Sequence, residues 1–185
     1  MGDGGYLESA KPMIADHLQS IKNALFIPFA GVTVGWDDYT QAVSDALSEL
    51  EVKGIHQCDD PKQAIIDAEA VLVGGGNTFN LLNQLYQQDL ITSLKAKVES
   101  GMPYIGWSAG SNICGNSIRT TNDMPIVEPP SFTALNLVPF QLNPHYSDYP
   151  PPGFNGETRA QRIAEFCVLE PNMPVIGIRE GTGLK

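Results

Sequence analysis

The run Met102-Pro103-Tyr104-Ile105-Gly106-Trp107-Ser108-Ala109-Gly110 decides how this chain is read. An apolar segment ending in a serine flanked by small residues is the sequence form of a strand–elbow–helix turn, which presents the serine as a nucleophile. Such a turn is sharp, so the serine takes a strained backbone and side chains on its neighbours would clash. Gly106 and Gly110 remove that clash. Two glycines bracketing a serine arise by chance in roughly one chain in ten of this length and glycine content. The run therefore needs partners elsewhere.

Around the elbow, apolar runs alternate with segments of helical spacing, the pattern of an α/β domain with a parallel sheet. Strands are predicted at Ala24–Phe29, Val52–His56, Ala70–Val73, Pro103–Trp107, Leu137–Asn143 and Val175–Ile178. Helices are predicted at Tyr39–Leu50, with Val43, Ala46, Leu47 and Leu50 on one face, and at Pro61–Ala68, Thr78–Tyr86, Ile91–Ser100 and Glu157–Cys167. A further helix should start at the elbow itself. The proline-rich, acidic stretches 123–130 and 146–156 read as loops, and Met1-Gly2-Asp3-Gly4-Gly5 as a turn. There is no internal repeat or linker, so the expectation is one domain over residues 1–185.

The 185 residues carry 11 Lys+Arg against 21 Asp+Glu, a formal charge of −10. That balance argues against nucleic acid or an anionic membrane surface as partner. It also means that an anionic substrate would have to be captured by one or two local arginines. No apolar run approaches membrane-spanning length and the N-terminus lacks a leader pattern, so a cytoplasmic location is expected. Cys58, Cys114 and Cys167 are scattered and odd in number, which suggests reduced, mostly buried thiols and no zinc site.

A serine nucleophile needs a base, an orienting acid and donors for the oxyanion. The chain has three histidines. His17 is expected early in a helix and His56 at the end of an early strand, and both read as incidental surface residues. His145 follows a strand end after Asn143-Pro144, where α/β sites assemble, and is the candidate base. Asp123, Glu128, Asp148, Glu157 and Glu180 all lie in plausible loops as the acid. Asp123 gives the chain order Ser, Asp, His, whereas Glu180 follows a strand end on the face of Ser108 and His145. Spacing alone leaves the two open.

Gly74-Gly75-Gly76-Asn77 follows a strand but lacks the Lys-Ser/Thr or the distant acid of a nucleotide loop. Such a turn can aim backbone N–H groups into a site and, with the N–H of Ala109, form an oxyanion hole. A tight turn requiring positive φ is the other reading.

Several segments together resemble peptidase E, the α-aspartyl dipeptidase family of serine peptidases. They are Phe26-Ile-Pro-Phe-Ala-Gly31, Val73-Gly-Gly-Gly-Asn-Thr-Phe79, Tyr104-Ile-Gly-Trp-Ser-Ala-Gly110, Arg119-Thr-Thr-Asn-Asp-Met-Pro-Ile126, Asn143-Pro-His145 and Gly156-Glu-Thr-Arg159. The resemblance covers nearly the whole chain. It implies a class I glutamine amidotransferase-like fold, a three-layer α/β sandwich with a mostly parallel central sheet. It also implies a Ser–His–Glu triad at Ser108, His145 and Glu180, an oxyanion hole at Gly76 and Ala109, and no metal or organic cofactor. Substrates would be small peptides with an N-terminal aspartate, whose carboxylate Arg159 would hold. The acid role then passes from Asp123, which becomes a loop residue beside the site with no assigned role.

Family members begin with a strand before the segment matching Gly5-Tyr6-Leu7 and continue past the glutamate. On that comparison this chain is expected to lack both pieces, leaving Glu180 near a free end and the triad less firmly held. Two alternatives accompany the dipeptidase reading: a cyanophycinase-like serine peptidase and a truncated, non-catalytic Asp-peptide-binding homologue. A glutamine amidotransferase would carry cysteine at the elbow, where this chain has Ser108. Monomer and homodimer remain equally open.

Overall fold

The computed structural model describes residues 5–149, 153 and 155–185. Residues 1–4 of the expected N-terminal turn, and 150–152 and 154 of the expected 146–156 loop, lie outside them. The described elements run α1 (Lys11–Leu18), β1 (Asn23–Ile27), α2 (Trp36–Ala46), β2 (Glu51–Gly54), α3 (Pro61–Asp67), β3 (Val71–Val73) and α4 (Thr78–Gln87). They continue with α5 (Ile91–Glu99), β4 (Tyr104–Gly106), α6 (Ala109–Asn112), β5 (Gln141–Pro144), α7 (Arg159–Leu169) and β6 (Val175–Ile178).

Strand alternation builds the layers. Side chains two apart on a strand share a face, so Leu25, Ile27, Val71 and Val73 point one way and meet Ile65, Leu81, Leu82, Leu85 and Leu94 of α3, α4 and α5. Ala24, Phe26 and Leu72 point the other way, onto Ile14 and Leu18 of α1 and Tyr39 and Val43 of α2. The result is a three-layer α/β sandwich. Leu81, Leu82 and Leu85 are fully buried, and each contributes ~2 kcal/mol of apolar transfer.

The central sheet has the order β2-β1-β3-β4, and β5 and β6 form a second, two-stranded sheet. Every strand pairing is parallel, with one antiparallel bridge between Ser117 and Thr133 outside the strands. A cavity of about 990 Å³ is lined by Tyr104, Ile105 and Gly106 of β4 and by Leu142, Pro144 and Ile178 of β5 and β6. Buried side-chain hydrogen bonds tie the smaller sheet to the larger body. Asn112 Nδ2 and Thr120 Oγ1 both donate to the Leu142 carbonyl, at 2.7 and 2.8 Å.

Several elements differ from the sequence reading for identifiable reasons. Helix α2 begins at Trp36, three residues before the expected Tyr39, because extended Gly35 precedes it and Asp37 and Asp38 favour the positive end of a helix. The strand expected from Leu137 starts at Gln141. The N–H groups of Leu135, Asn136, Leu137 and Val138 are bonded to the carbonyls of Ile113, Gly115 and Cys114, and Pro139 has no N–H to give a ladder. His17 falls in the last turn of its helix and not early in it. The three cysteines are free and only partly buried. No helix among the described residues is long and apolar enough to cross a membrane.

Candidate active site

Ser108 sits at the junction of β4 and α6 with φ 52° and ψ −115°, outside the regions ordinarily open to an L-residue. A non-glycine residue held there costs of order 1–3 kcal/mol. The flanking glycines are needed for space. A Cβ on Gly106 would strike the Gly110 carbonyl, and a Cβ on Gly110 would strike the Val73 carbonyl. Both obstacles are backbone and cannot swing aside. Gly110→Ala is expected to destabilise the fold by about 3 kcal/mol, measured as a lowered urea midpoint with an unchanged m-value.

The parallel register of the second sheet assembles the partners of the serine. Pro144 lies opposite Ile178, so the residues just beyond β5 and β6 emerge side by side at the carboxyl ends of the strands. His145 follows β5 with φ 58°, and Tyr146 N–H bonds the Ile178 carbonyl at 2.9 Å. His145 Nε2 lies 2.8 Å from Ser108 Oγ, and His145 Nδ1 is hydrogen-bonded to Glu180 Oε1. With Nδ1 donating to the carboxylate, Nε2 is left to accept from the serine hydroxyl. All three residues line the cavity.

A polar network absent from the sequence reading holds the histidine strand. Asn143 Nδ2 donates to the Thr120 carbonyl at 2.8 Å and to Asn122 Oδ1 at 2.9 Å. Asn122 Nδ2 donates in turn to the Pro144 carbonyl at 2.8 Å. One asparagine in a loop and one in a strand carry no period or spacing by which sequence could single them out.

The glycine loop lies directly against the elbow. A Cβ on Gly75 would fall 2.8 Å from Ser108 Cβ, and Gly76 has φ +135°, with the Ala30 backbone where its side chain would go. Among the described residues the N–H groups of Gly75, Gly76 and Ala109 have no protein acceptor. They are the unpartnered donors around Ser108.

Asp123 does not reach His145. Its Oδ2 accepts from Thr78 N–H at 2.7 Å and from Thr78 Oγ1 at 2.5 Å, capping the start of α4 immediately after the glycine loop. Asn77 Nδ2 also donates to the Met124 carbonyl at 2.8 Å. The 123–124 loop is thereby pinned to the loop that abuts the serine, which supplies the role that sequence left open.

The other candidate acids are occupied elsewhere. Asp148 pairs with Arg179 at 2.6 Å, an interaction that holds its carboxyl below the ordinary range. Glu157 lies 3.8 Å from Arg162, and Glu128 stays in the 123–130 loop. His56 Nε2 is 3.0 Å from Asp37 Oδ1, and neither His56 nor His17 is hydrogen-bonded to Ser108.

Arg119 pairs with Glu170 at 2.6 Å, so three of the four arginines have carboxylate partners. Arg159, half-buried at the first turn of α7, has no salt-bridge partner among the described residues. Burial lowers its pKa, the charge of Arg162 lowers it further, and Asp123 opposes both. No group of three His, Cys, Asp or Glu side chains among the described residues is arranged to hold a metal.

A strained serine at a strand–helix elbow, hydrogen-bonded to a histidine beyond another strand's carboxyl end, defines the serine hydrolases of the α/β class. The model of Peptidase family S51 matches residues 1–185. Peptidase E of Shewanella amazonensis is 57% identical over 186 residues, covering 100% of this chain and 79% of that protein. Peptidase E of Shewanella denitrificans is 60% identical with the same coverage. A crystal structure from Listeria monocytogenes EGD-e, of a protein assigned to peptidase E, superposes with a TM-score of 0.70 at 25% identity, covering 94% of this chain and 87% of that one. The chain belongs to peptidase family S51 and is a serine peptidase.

Proposed function

We propose that this chain is a dipeptidase of the cytoplasm that hydrolyses the bond after an N-terminal aspartate, using Ser108 as nucleophile, His145 as base and Glu180 as orienting acid. The observation that carries this reading is the continuous hydrogen-bond chain from Ser108 Oγ through His145 to Glu180.

Ser108 Oγ attacks the carbonyl carbon of the aspartyl residue as His145 Nε2 takes its proton. The oxyanion is received by the N–H groups of Gly76 and Ala109, a type of contact worth several kcal/mol in the transition state. When the tetrahedral intermediate collapses, the C–N bond breaks and the departing amine takes the proton from His145. Water, activated by the same imidazole, then attacks the acyl-enzyme and releases free aspartate. Glu180 keeps the imidazole in the required tautomer and stabilises its cation.

Arg159 supports the aspartate preference. In a chain of net charge −10 it is the arginine without a salt-bridge partner among the described residues. The charge of Asp123, itself hydrogen-bonded to Thr78 beside the glycine loop, acts on the Arg159 guanidinium. A planar guanidinium donates two parallel hydrogen bonds to a carboxylate.

The test is a panel of Asp-Leu, Glu-Leu, Ala-Leu and cyanophycin against the purified chain, followed by aspartate release. Asp-Leu should be cleaved and the others spared. Arg159→Met should lower kcat/KM on Asp-Leu about a hundredfold, the ~3 kcal/mol of a charge-assisted pair. Equal cleavage of Glu-Leu and Asp-Leu would remove the Arg159 argument. Cleavage of cyanophycin would favour the cyanophycinase reading, and binding of Asp-Leu without cleavage the non-catalytic one.

A further inference from the structure

A chain of hydroxyls behind the site joins the elbow to the glycine loop. Trp107 Nε1 lies 2.8 Å from Tyr6 Oη, Tyr6 Oη lies 3.0 Å from Tyr39 Oη, and Tyr39 Oη lies 3.0 Å from the Gly75 carbonyl. The two ends fix its direction. An indole N–H can only donate and a carbonyl can only accept, so both phenols between them must point the same way. Each hydroxyl accepts from one neighbour and donates to the next. Bonds aligned in this way polarise one another.

The ends of the relay also matter. Trp107 immediately precedes Ser108, and the Gly75 carbonyl belongs to the same peptide unit as the Gly76 N–H. That unit is trans, as are all peptide bonds among the described residues, so its C=O and N–H point in opposite directions. Holding the carbonyl toward Tyr39 therefore holds the N–H of Gly76 away from it. Two successive glycines have no side chains to set the plane between them, so its orientation has to be imposed from outside.

We infer that Tyr39 is a positioning residue for the oxyanion pocket, fixing the Gly75–Gly76 peptide plane against the elbow through the Trp107–Tyr6–Tyr39 relay. This rests on the catalytic reading above and adds to it a residue that touches neither substrate nor nucleophile. Three further observations fit the role. Tyr39 is buried at 9% relative exposure. A Cβ on Gly74 would meet its hydroxyl at 2.8 Å, so the loop is shaped around it. Phe26 packs against two members of the set, stacking on Trp107 at 5.9 Å and meeting Tyr39 edge-on at 5.0 Å. Burial raises the pKa of both phenols, so the hydroxyl protons that the relay needs stay in place across the working pH range.

The experiment is steady-state hydrolysis of Asp-Leu by four forms of the purified chain, well below their melting temperatures. Tyr39→Phe keeps the ring and its packing but leaves the Gly75 carbonyl without its donor. It should lower kcat about tenfold with KM unchanged, less than outright loss of an oxyanion donor because the N–H remains. Tyr6→Phe should cost about threefold, since Trp107 Nε1 also lies 3.3 Å from Tyr39 Oη and the relay is shortened, not cut.

Val43→Ala lies on the same buried face of α2 but outside the relay. It should lower the melting temperature and leave kcat at the wild-type value. Wild-type kcat in Tyr39→Phe, or an equal loss of kcat in Val43→Ala, would overturn the positioning role while leaving the catalytic reading intact. A wild-type chain that releases no aspartate and takes no fluorophosphonate label would overturn both.

Discussion

Ser108→Ala is expected to reduce kcat on Asp-Leu by about a millionfold and to abolish fluorophosphonate labelling, while aspartyl peptides still bind. The binding groups and the proposed oxyanion donors all lie outside the replaced hydroxyl, so only the attacking atom is lost. The same position offers a second measurement. Its φ of 52° and ψ of −115° strain alanine as much as serine, but not glycine. Ser108→Gly should be equally inactive yet more stable than Ser108→Ala by about 1 kcal/mol in urea unfolding, the strain no longer being stored. A serine that merely fills a turn can produce the stability difference but not the loss of turnover and labelling. Turnover that survives Ser108→Ala would sink the serine mechanism, whatever the stability result.

Much of the fold was legible because it rests on signals the chain repeats. Six apolar runs marked six strands, though which face each residue of Ala24–Ile27 takes came only from the packing. The elbow was legible because a sharp turn leaves no room for Cβ atoms at Gly106 and Gly110. What escaped were cases in which a polar group, backbone or side chain, spends its hydrogen bond off the expected partner. Leu137 and Val138 are as apolar as any strand residues, yet their N–H groups bond Cys114. Asp123 looked like an acid for His145 because both lie in loops after Ser108. Its partner is the start of α4, set by a 45-residue return of the chain. The hydroxyls of Tyr39 and Tyr6 were not singled out at all, since no local pattern reports that they meet.

The site stands where two sheets converge, and each supplies a different part. The larger sheet provides the serine and, one strand over, the glycine loop, because β3 and β4 pair in parallel with Val73 opposite Gly106. The smaller sheet provides His145 and Glu180 from adjacent strand ends. Asn112, one turn after the serine, bonds the Leu142 carbonyl three residues before the histidine. Serine and histidine are thus coupled by a short buried path, whereas histidine and glutamate are coupled by the β5–β6 register.

The choice between Glu180 and Asp123 leads to the second large effect. Glu180→Gln should lower kcat about a thousandfold, because an amide can turn its NH₂ toward Nδ1, favour the wrong imidazole tautomer and offer no charge to the imidazolium. The loss should fall short of that for a fully buried acid, since Glu180 is 72% exposed and water can take over part of its role. Asp123→Asn should behave differently. The asparagine carbonyl still accepts from Thr78 N–H, so the cap on α4 weakens by about 1 kcal/mol and kcat should stay within about tenfold of wild type. Removing the Asp123 charge also strips a counter-charge from the surroundings of Arg159, so KM for Asp-Leu should fall as the guanidinium becomes freer to attract the substrate carboxylate. The two variants, compared by kcat, KM and urea midpoint, therefore separate an acid acting on the imidazole from an acid holding a loop. If Asp123→Asn eliminated turnover while Glu180→Gln retained it, the acid of the mechanism would be Asp123, and the hydrogen bond from His145 to Glu180 would have to be secondary.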